Sequence, residues 1–174
     1  PTISLQATSK TDNTHLAYKV STASSATRTH TLLKDTPQAV TVVSEAVLND
    51  IQATRLSEAL DVAGIGRANN FGGQGLTTFT SRGFTSGEYY RNGFPINRGY
   101  PNAPDSNTIE RIEVLKGASS SLYGRGDPGG TFNVISKVPH AEQKTTLGLS
   151  VDHEGLLRGT LDTAGALTED ESLM

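Results

Sequence analysis

Apolar and polar positions change rhythm several times along the chain, and each change marks an element. Residues 39–43, Ala-Val-Thr-Val-Val, form a short β-branched run that predicts a strand. Ser44 then stands as an N-cap ahead of Val47, Leu48 and Ile51, whose spacing places them on one helix face. A second helix is predicted by Thr54 as its cap, by Leu56, Leu60 and Ala63 at helical spacing, and by Gly64 as its terminator. Residues 77–84 alternate and read as a strand. Asn92-Gly93, between Tyr90-Arg91 and Phe94-Pro95-Ile96, predicts a hairpin closed by a type I′ turn. Residues 109–116 read as the next strand, 119–123 as one helical turn ending at Gly124, and 131–136 as another strand. This order predicts an α+β fold, with a small mixed four- to five-stranded sheet, two or three short helices and long loops.

Both ends depart from that rhythm. Residues 1–36 hold 5 Ser and 9 Thr among few large apolar side chains, which predicts a flexible arm. Inside it, Thr2-Ile3-Ser4-Leu5-Gln6-Ala7 alternates like a segment that pairs with a partner's sheet edge. After Pro139, Leu147, Leu149 and Val151 alternate with Thr146, Gly148, Ser150 and Asp152. Beyond Gly155, Leu157 and Leu161 alternate with Arg158, Thr160 and Asp162. The pattern is a hairpin with one apolar face. Periodicity alone favours an ordinary soluble hairpin, but the first two strands of a transmembrane barrel read the same way.

Composition narrows the function classes. With 15 Lys and Arg against 18 Asp and Glu, the net charge is −3, and a phosphate-binding footprint for nucleic acid is not expected. The absence of Cys excludes disulfide scaffolds, thiolate zinc sites and Cys nucleophiles. No run approaches the roughly 18 to 20 apolar residues of a membrane helix. Pro1-Thr2-Ile3-Ser4 lacks the basic and apolar regions of a signal peptide, so a mature form or an excised piece is expected.

Several motifs are best discounted. Gly124-Arg125-Gly126-Asp127-Pro128-Gly129 spells a dinucleotide fingerprint, but a turn precedes it, Pro128 removes a donor and a strand follows where a helix is required. Arg125-Gly126-Asp127 is too short to carry meaning. His15, His30, His140 and His153 lie far apart, so no metal site is expected. Glu110 and Glu113 point to opposite strand faces, and Ser119, Ser120 and Ser121 have no nearby His, so no catalytic constellation emerges and no enzyme is expected. Glu45, Asp50, Glu58 and Asp61 read as solvated helix-surface carboxylates.

Taken together, the Thr36-to-Val43 run, Ser81-Arg82-Gly83-Phe84, Tyr90-Arg91-Asn92-Gly93-Phe94-Pro95, the stretch from Ile109 to Gly124 and that from Gly129 to Lys137 resemble the plug domain of TonB-dependent outer-membrane receptors. Tyr18-Lys19 and Ser24-Ser25-Ala26-Thr27-Arg28, with Thr36-Pro37-Gln38, resemble the ferric-siderophore branch and not the cobalamin branch. The resemblance covers about residues 18–139, while 140–174 look like the start of the receptor's barrel. It implies three parts: an arm at 1–36, a plug at 37–139 and a truncated barrel start at 140–174. At roughly 9 to 11 residues per crossing, the family's 22-stranded barrel does not fit in this chain, so a plug-containing part of a longer receptor is expected.

What the resemblance implies is a gate inside an outer-membrane barrel, facing the periplasm, with the isolated fragment soluble. Residues Thr2, Ile3, Ser4, Leu5, Gln6 and Ala7 then resemble the TonB box, which adds as a strand to the TonB C-terminal domain. Apical loops would meet a ferric siderophore through charge, stacking and hydrogen bonds. The implied residues are Arg67, Phe71 and Gln74, then Tyr89 and Tyr90, then Arg98, Gly99, Tyr100 and Asn107. Arg82 and Lys116 resemble the cations that pair with barrel glutamates, and Lys116 offers a point charge in place of a bidentate fork. No cofactor is implied, since the siderophore carries the iron. The alternative is a soluble periplasmic adaptor that binds a protein through its arm without transport.

Overall fold

The computed structural model describes residues 3–8, 18–67, 78–86, 89–96 and 104–168. It divides into a unit of residues 15–137 and another made of 1–14 with 138–174. In chain order the strands are β1 (Ile3–Thr8), β2 (Thr22–Ala23), β3 (Thr31–Leu32), β4 (Val40–Ser44), β5 (Gly66–Arg67), β6 (Phe79–Ser81), β7 (Phe84–Ser86), β8 (Tyr89–Arg91), β9 (Phe94–Ile96), β10 (Ile109–Lys116), β11 (Gly130–Ser136), β12 (Lys144–Val151) and β13 (Leu157–Ala164). The helices are α1 (Glu45–Asp50), α2 (Leu56–Val62) and α3 (Ser120–Tyr123).

The larger unit is built on a mixed sheet ordered β4-β10-β11-β8-β9, in which only the β11–β8 pair is parallel. The α+β prediction matches this architecture. Side chains alternate across β10 and β11, so the sheet has two different faces. Ile112, Val114, Phe132 and Val134 point into an apolar core shared with Leu48 of α1 and with Leu56, Ala59 and Leu60 of α2. Each of those large side chains contributes roughly 1.5–3 kcal/mol by leaving water. Phe79 joins them and tilts against Phe132 with ring centroids 5.0 Å apart.

Glu113 and Asn133, register partners on the opposite face, are also buried, and polar groups cover them. The Glu113 carboxylate accepts the Ser24 and Ser25 amides at 3.0 and 2.7 Å and the Arg111 Nε–H at 2.8 Å. Arg111 also pairs with Glu110, beside a register shift between Ile109 and Arg111. Asn133 donates to Ser25 Oγ at 2.7 Å and accepts the Gly93 amide at 3.0 Å.

The arm expected over 1–36 is therefore divided. Residues 18–36 are folded, with β2 and β3 paired and a 3₁₀ turn at Leu33–Asp35. A hydroxyl-rich segment looks disordered because it offers little apolar area. Here its backbone is satisfied by side chains some ninety residues away, which no local pattern reveals. The helix-surface carboxylates are likewise engaged: Glu45 pairs with Lys137 at 2.8 Å, Glu58 accepts the Thr54 and Arg55 amides ahead of α2, and Asp61 pairs with Arg67. Arg55, not Thr54, is the N-cap, and Gly64 ends the helix at φ 73°.

In the other unit, β12 and β13 form the predicted hairpin, and β1 pairs antiparallel with β12. Leu147 faces Leu161 and Val151 faces Leu157, leaving an exposed apolar face, while Thr146, Ser150, Arg158, Thr160 and Asp162 occupy the other. In β1 the register sets Ile3, Leu5 and Ala7 opposite Val151, Leu149 and Leu147.

Candidate functional site

The strand expected over 77–84 is instead a hairpin of β6 and β7, because Arg82 and Gly83 both take positive φ, at 51° and 83°. The same pair of angles recurs at Asn92 and Gly93 between β8 and β9. Asn tolerates that region and Arg does not prefer it, so a pattern search finds the second turn and misses the first. The β6–β7 hairpin is fixed to the connection between β10 and β11. Ser81 Oγ donates to the Gly129 carbonyl at 2.9 Å, and a Cβ at Gly129 would stand 2.5 Å from the Ser81 carbonyl oxygen. Gly129, the last glycine of the discounted nucleotide fingerprint, thus permits close backbone packing.

This packing places Arg82 beside the end of β10, the strand that carries Lys116. A Cβ at Gly117 would lie 3.3 Å from Arg82 Nη1, so the guanidinium rests over the residue that follows Lys116. Among the described residues neither Arg82 nor Lys116 is in an ion pair.

Four of the nine predicted ligand residues, Arg67, Tyr89, Tyr90 and Asn107, lie among the described residues. Arg67 ends β5 with its guanidinium on Asp61, Nε–H to Oδ2 at 2.9 Å, so its charge is locally balanced. Asn107 lies in the 3₁₀ turn Ser106–Thr108, its amide donating to Asp105 Oδ1 at 2.9 Å. Phe71, Gln74, Arg98, Gly99 and Tyr100 fall outside the described residues.

Tyr89 and Tyr90 require a correction: they are 1% and 6% exposed, not displayed on a loop. They belong to β8, which is flanked by β11 and β9 and covered on both faces. Burial pushes the Tyr89 phenol above its ordinary pKa. The Tyr90 hydroxyl donates to the Tyr123 carbonyl at 3.3 Å, and the two rings meet edge to face at 4.6 Å.

Of the predicted coupling segment, Thr2 lies outside the described residues, and Ile3, Ser4, Leu5, Gln6 and Ala7 belong to β1. That strand pairs through one edge with β12, and its position at the end of the order β1-β12-β13 leaves the other edge open within the sheet. Sequence reasoning missed Glu113, the buried acceptor of two backbone amides. The available signal was a carboxylate on a strand whose neighbours on both sides, Ile112 and Val114, are core residues. Among the described residues no group of three His, Asp or Glu side chains converges to hold a metal.

A family model described as the TonB-dependent receptor plug domain matches residues 32–131. The metal-pseudopaline receptor CntO of Pseudomonas aeruginosa is 51% identical over 158 residues, which is 90% of this chain and 22% of that protein. The ferric-pyoverdine BN7/BN8 receptor of Pseudomonas putida is 31% identical over 92% of this chain and 20% of its own length. The chain thus spans about a fifth of these curated relatives. Among solved structures, the pyoverdine outer membrane receptor FpvA of Pseudomonas aeruginosa, bound to pyoverdine, has a TM-score of 0.81 at 29% identity. It matches 90% of this chain and 23% of its own. The alcaligin outer membrane receptor FauA of Bordetella pertussis has a TM-score of 0.80 at 27% identity, over 91% of this chain and 28% of its own.

Proposed function

Because the chain belongs to the TonB-dependent receptor plug family, we propose that it is the gate of an outer-membrane receptor that imports siderophore-type metal chelates. The observation that carries the reading is the plug match over residues 32–131 joined, in one chain, to a hairpin with an exposed apolar face. In this reading Leu147, Leu149, Val151, Leu157 and Leu161 face lipid, and Thr146, Ser150, Arg158, Thr160 and Asp162 face the lumen. The relatives compared are receptors by name, which favours transport over the soluble adaptor and offers no support for an enzyme.

The work is mechanical and electrostatic, and no bond is made or broken. Residues 2–7 engage the TonB C-terminal domain by strand addition, for which main-chain groups on an open edge suffice. Arg82 and Lys116 anchor the plug to carboxylates of the barrel wall. The chelate is met by Arg67, Phe71, Gln74, Arg98, Gly99, Tyr100 and Asn107, whereas Tyr89 and Tyr90 support the sheet beneath. A ferric siderophore is the ligand expected from the sequence. A second reading, a pseudopaline-like chelate carrying another metal, is favoured by the 51% identity to the metal-pseudopaline receptor, against 31% and 35% to the pyoverdine and catecholate receptors.

The test is uptake of labelled metal chelates by cells whose receptor carries this plug, compared with a form lacking residues 2–7. Uptake that depends on those residues is expected. Uptake unaffected by the deletion contradicts the coupled gate, and a preference among chelates decides between the two ligand readings.

A further inference from the structure

The sequence holds a single Asn-Gly dipeptide, Asn92-Gly93, and it closes the β8–β9 hairpin with both residues at positive φ, 51° and 83°. In water this dipeptide is the least durable amide pair in a protein chain. Glycine has no Cβ to hinder its own amide nitrogen, which attacks Cγ of the preceding carboxamide, expels ammonia and closes a cyclic imide. Water then opens the imide. Cleavage at Cγ yields aspartate, and cleavage at the main-chain carbonyl yields isoaspartate, in which Cβ and Cγ have become backbone. One water enters, one ammonia leaves and no electrons are transferred.

Asn92 is exposed, so water has access to it, but β11 holds the groups that must react. Gly93 is buried, and its N–H, whose proton must leave before attack, donates to Asn133 Oδ1 at 3.0 Å. Asn92 Oδ1 accepts the Ser136 amide at 2.9 Å, and the Asn92 amide donates to the Val134 carbonyl at 2.9 Å. Asn133 is itself buried and donates from its other end to Ser25 Oγ at 2.7 Å. A Cβ at Gly93 would stand 3.1 Å from Arg28 Nη1, so a guanidinium lies against the glycine as well.

We propose that Asn92 is a modification site that the fold keeps dormant, with Asn133 as the positioning residue that withholds the Gly93 amide. To react, that amide must give up its acceptor at a buried place where no solvent replaces it, and the carboxamide must leave Ser136. Polarisation of Cγ by the Ser136 amide favours attack, but it has no effect while the Gly93 nitrogen keeps its proton on Asn133. The two products act differently on the hairpin. Aspartate retains an oxygen for the Ser136 amide and keeps the turn. Isoaspartate lengthens the backbone inside a two-residue turn, which breaks the pairing of Tyr89, Tyr90 and Arg91 with Ile96, Pro95 and Phe94. Conversion is thus a permanent mark on molecules whose hairpin has parted from β11.

The experiment incubates the full 174-residue chain in mildly alkaline buffer, native and in urea, and reads residue 92 by peptide mass spectrometry with enzymatic methylation of isoaspartate. Conversion at least about tenfold slower in the native chain is expected, since reaction awaits local opening. Equal rates in buffer and urea overturn the proposal. Asn133→Ala removes the acceptor and accelerates native conversion about tenfold, whereas Ser25→Ala, which loosens Asn133 but leaves Oδ1 in place, changes it by less than about threefold. Equal acceleration by both variants, or none by N133A, refutes the role of Asn133. If N133A does not fold, hydrogen exchange at the Gly93 amide of the parent chain decides. Conversion slowed by a factor comparable to that exchange supports the proposal, and an unprotected amide, or conversion that ignores its protection, refutes it. These readouts are independent of TonB and chelate binding, so they stand apart from the function proposed above.

Discussion

Replacing Gly130 by Ala tests whether the glycines between β10 and β11 serve packing. Gly130 pairs with Lys116 at φ 150°, and a Cβ there would stand 2.6 Å from the Leu115 carbonyl oxygen. The obstacle is backbone within the central strand pair, so it cannot rotate aside like a side chain. The unfavourable backbone region costs about 1–3 kcal/mol, and forcing the strands apart costs about 1–3 kcal/mol more. A loss of about 2–6 kcal/mol follows, out of the roughly 5–15 kcal/mol that domains possess. Gly126 is the internal control, since an added Cβ there meets nothing within 4 Å. Urea unfolding followed by circular dichroism and tyrosine fluorescence reads the difference. With a slope of about 2 kcal/mol per molar, G130A shifts the midpoint down by roughly 1–3 M, while G126A stays within about 0.3 M. Equal midpoints for the two variants refute the steric argument and reopen a ligand role for the loop.

Three further outcomes follow from named groups. Arg82→Ala and Lys116→Ala change the chain's own unfolding free energy by no more than about 0.5 kcal/mol, since among the described residues neither side chain is in an ion pair. In an intact receptor the same changes loosen the plug and raise leakage of a large antibiotic; unchanged leakage argues against the lock. Burial raises the Tyr123 phenol above its ordinary value, so the folded state holds that proton longer than the unfolded one. Its contribution is therefore complete below the ordinary phenol pKa of about 10 and is lost as pH rises above it; melting temperatures measured on both sides of that pH should fall less steeply in Y123F. Leu161→Lys, on the exposed apolar face, costs about 2–4 kcal/mol at the bilayer midplane. Unimpaired assembly of an L161K receptor into outer membrane contradicts the lipid-facing assignment.

The elements governed by local rules were legible. β10 and the β12–β13 hairpin follow from alternation, the Asn92-Gly93 turn from backbone permissiveness, and the end of α2 from Gly64. What escaped depends on partners distant in sequence. Ser24 and Ser25 look like solvated hydroxyl residues until Glu113 is placed beside them, and the paired tyrosines of β8 look like loop aromatics until β11 is placed alongside. The Arg82 turn escaped because an Arg in the left-handed region is sustained by its surroundings. The close approach of the Ser81 and Leu115 carbonyls to Gly129 and Gly130 is likewise visible only in the fold. In the candidate site, family resemblance marked Arg82 and Lys116, and the packing of Arg82 over Gly117 became visible only in the structure.

The coupled gate is tested most directly by titrating the chain with purified TonB C-terminal domain, beside a version lacking residues 1–8. The account predicts saturable binding by the full chain and its loss on deletion, because β1 is an edge strand of its sheet. Binding that is absent, or that survives the deletion unchanged, contradicts the coupling role of the arm.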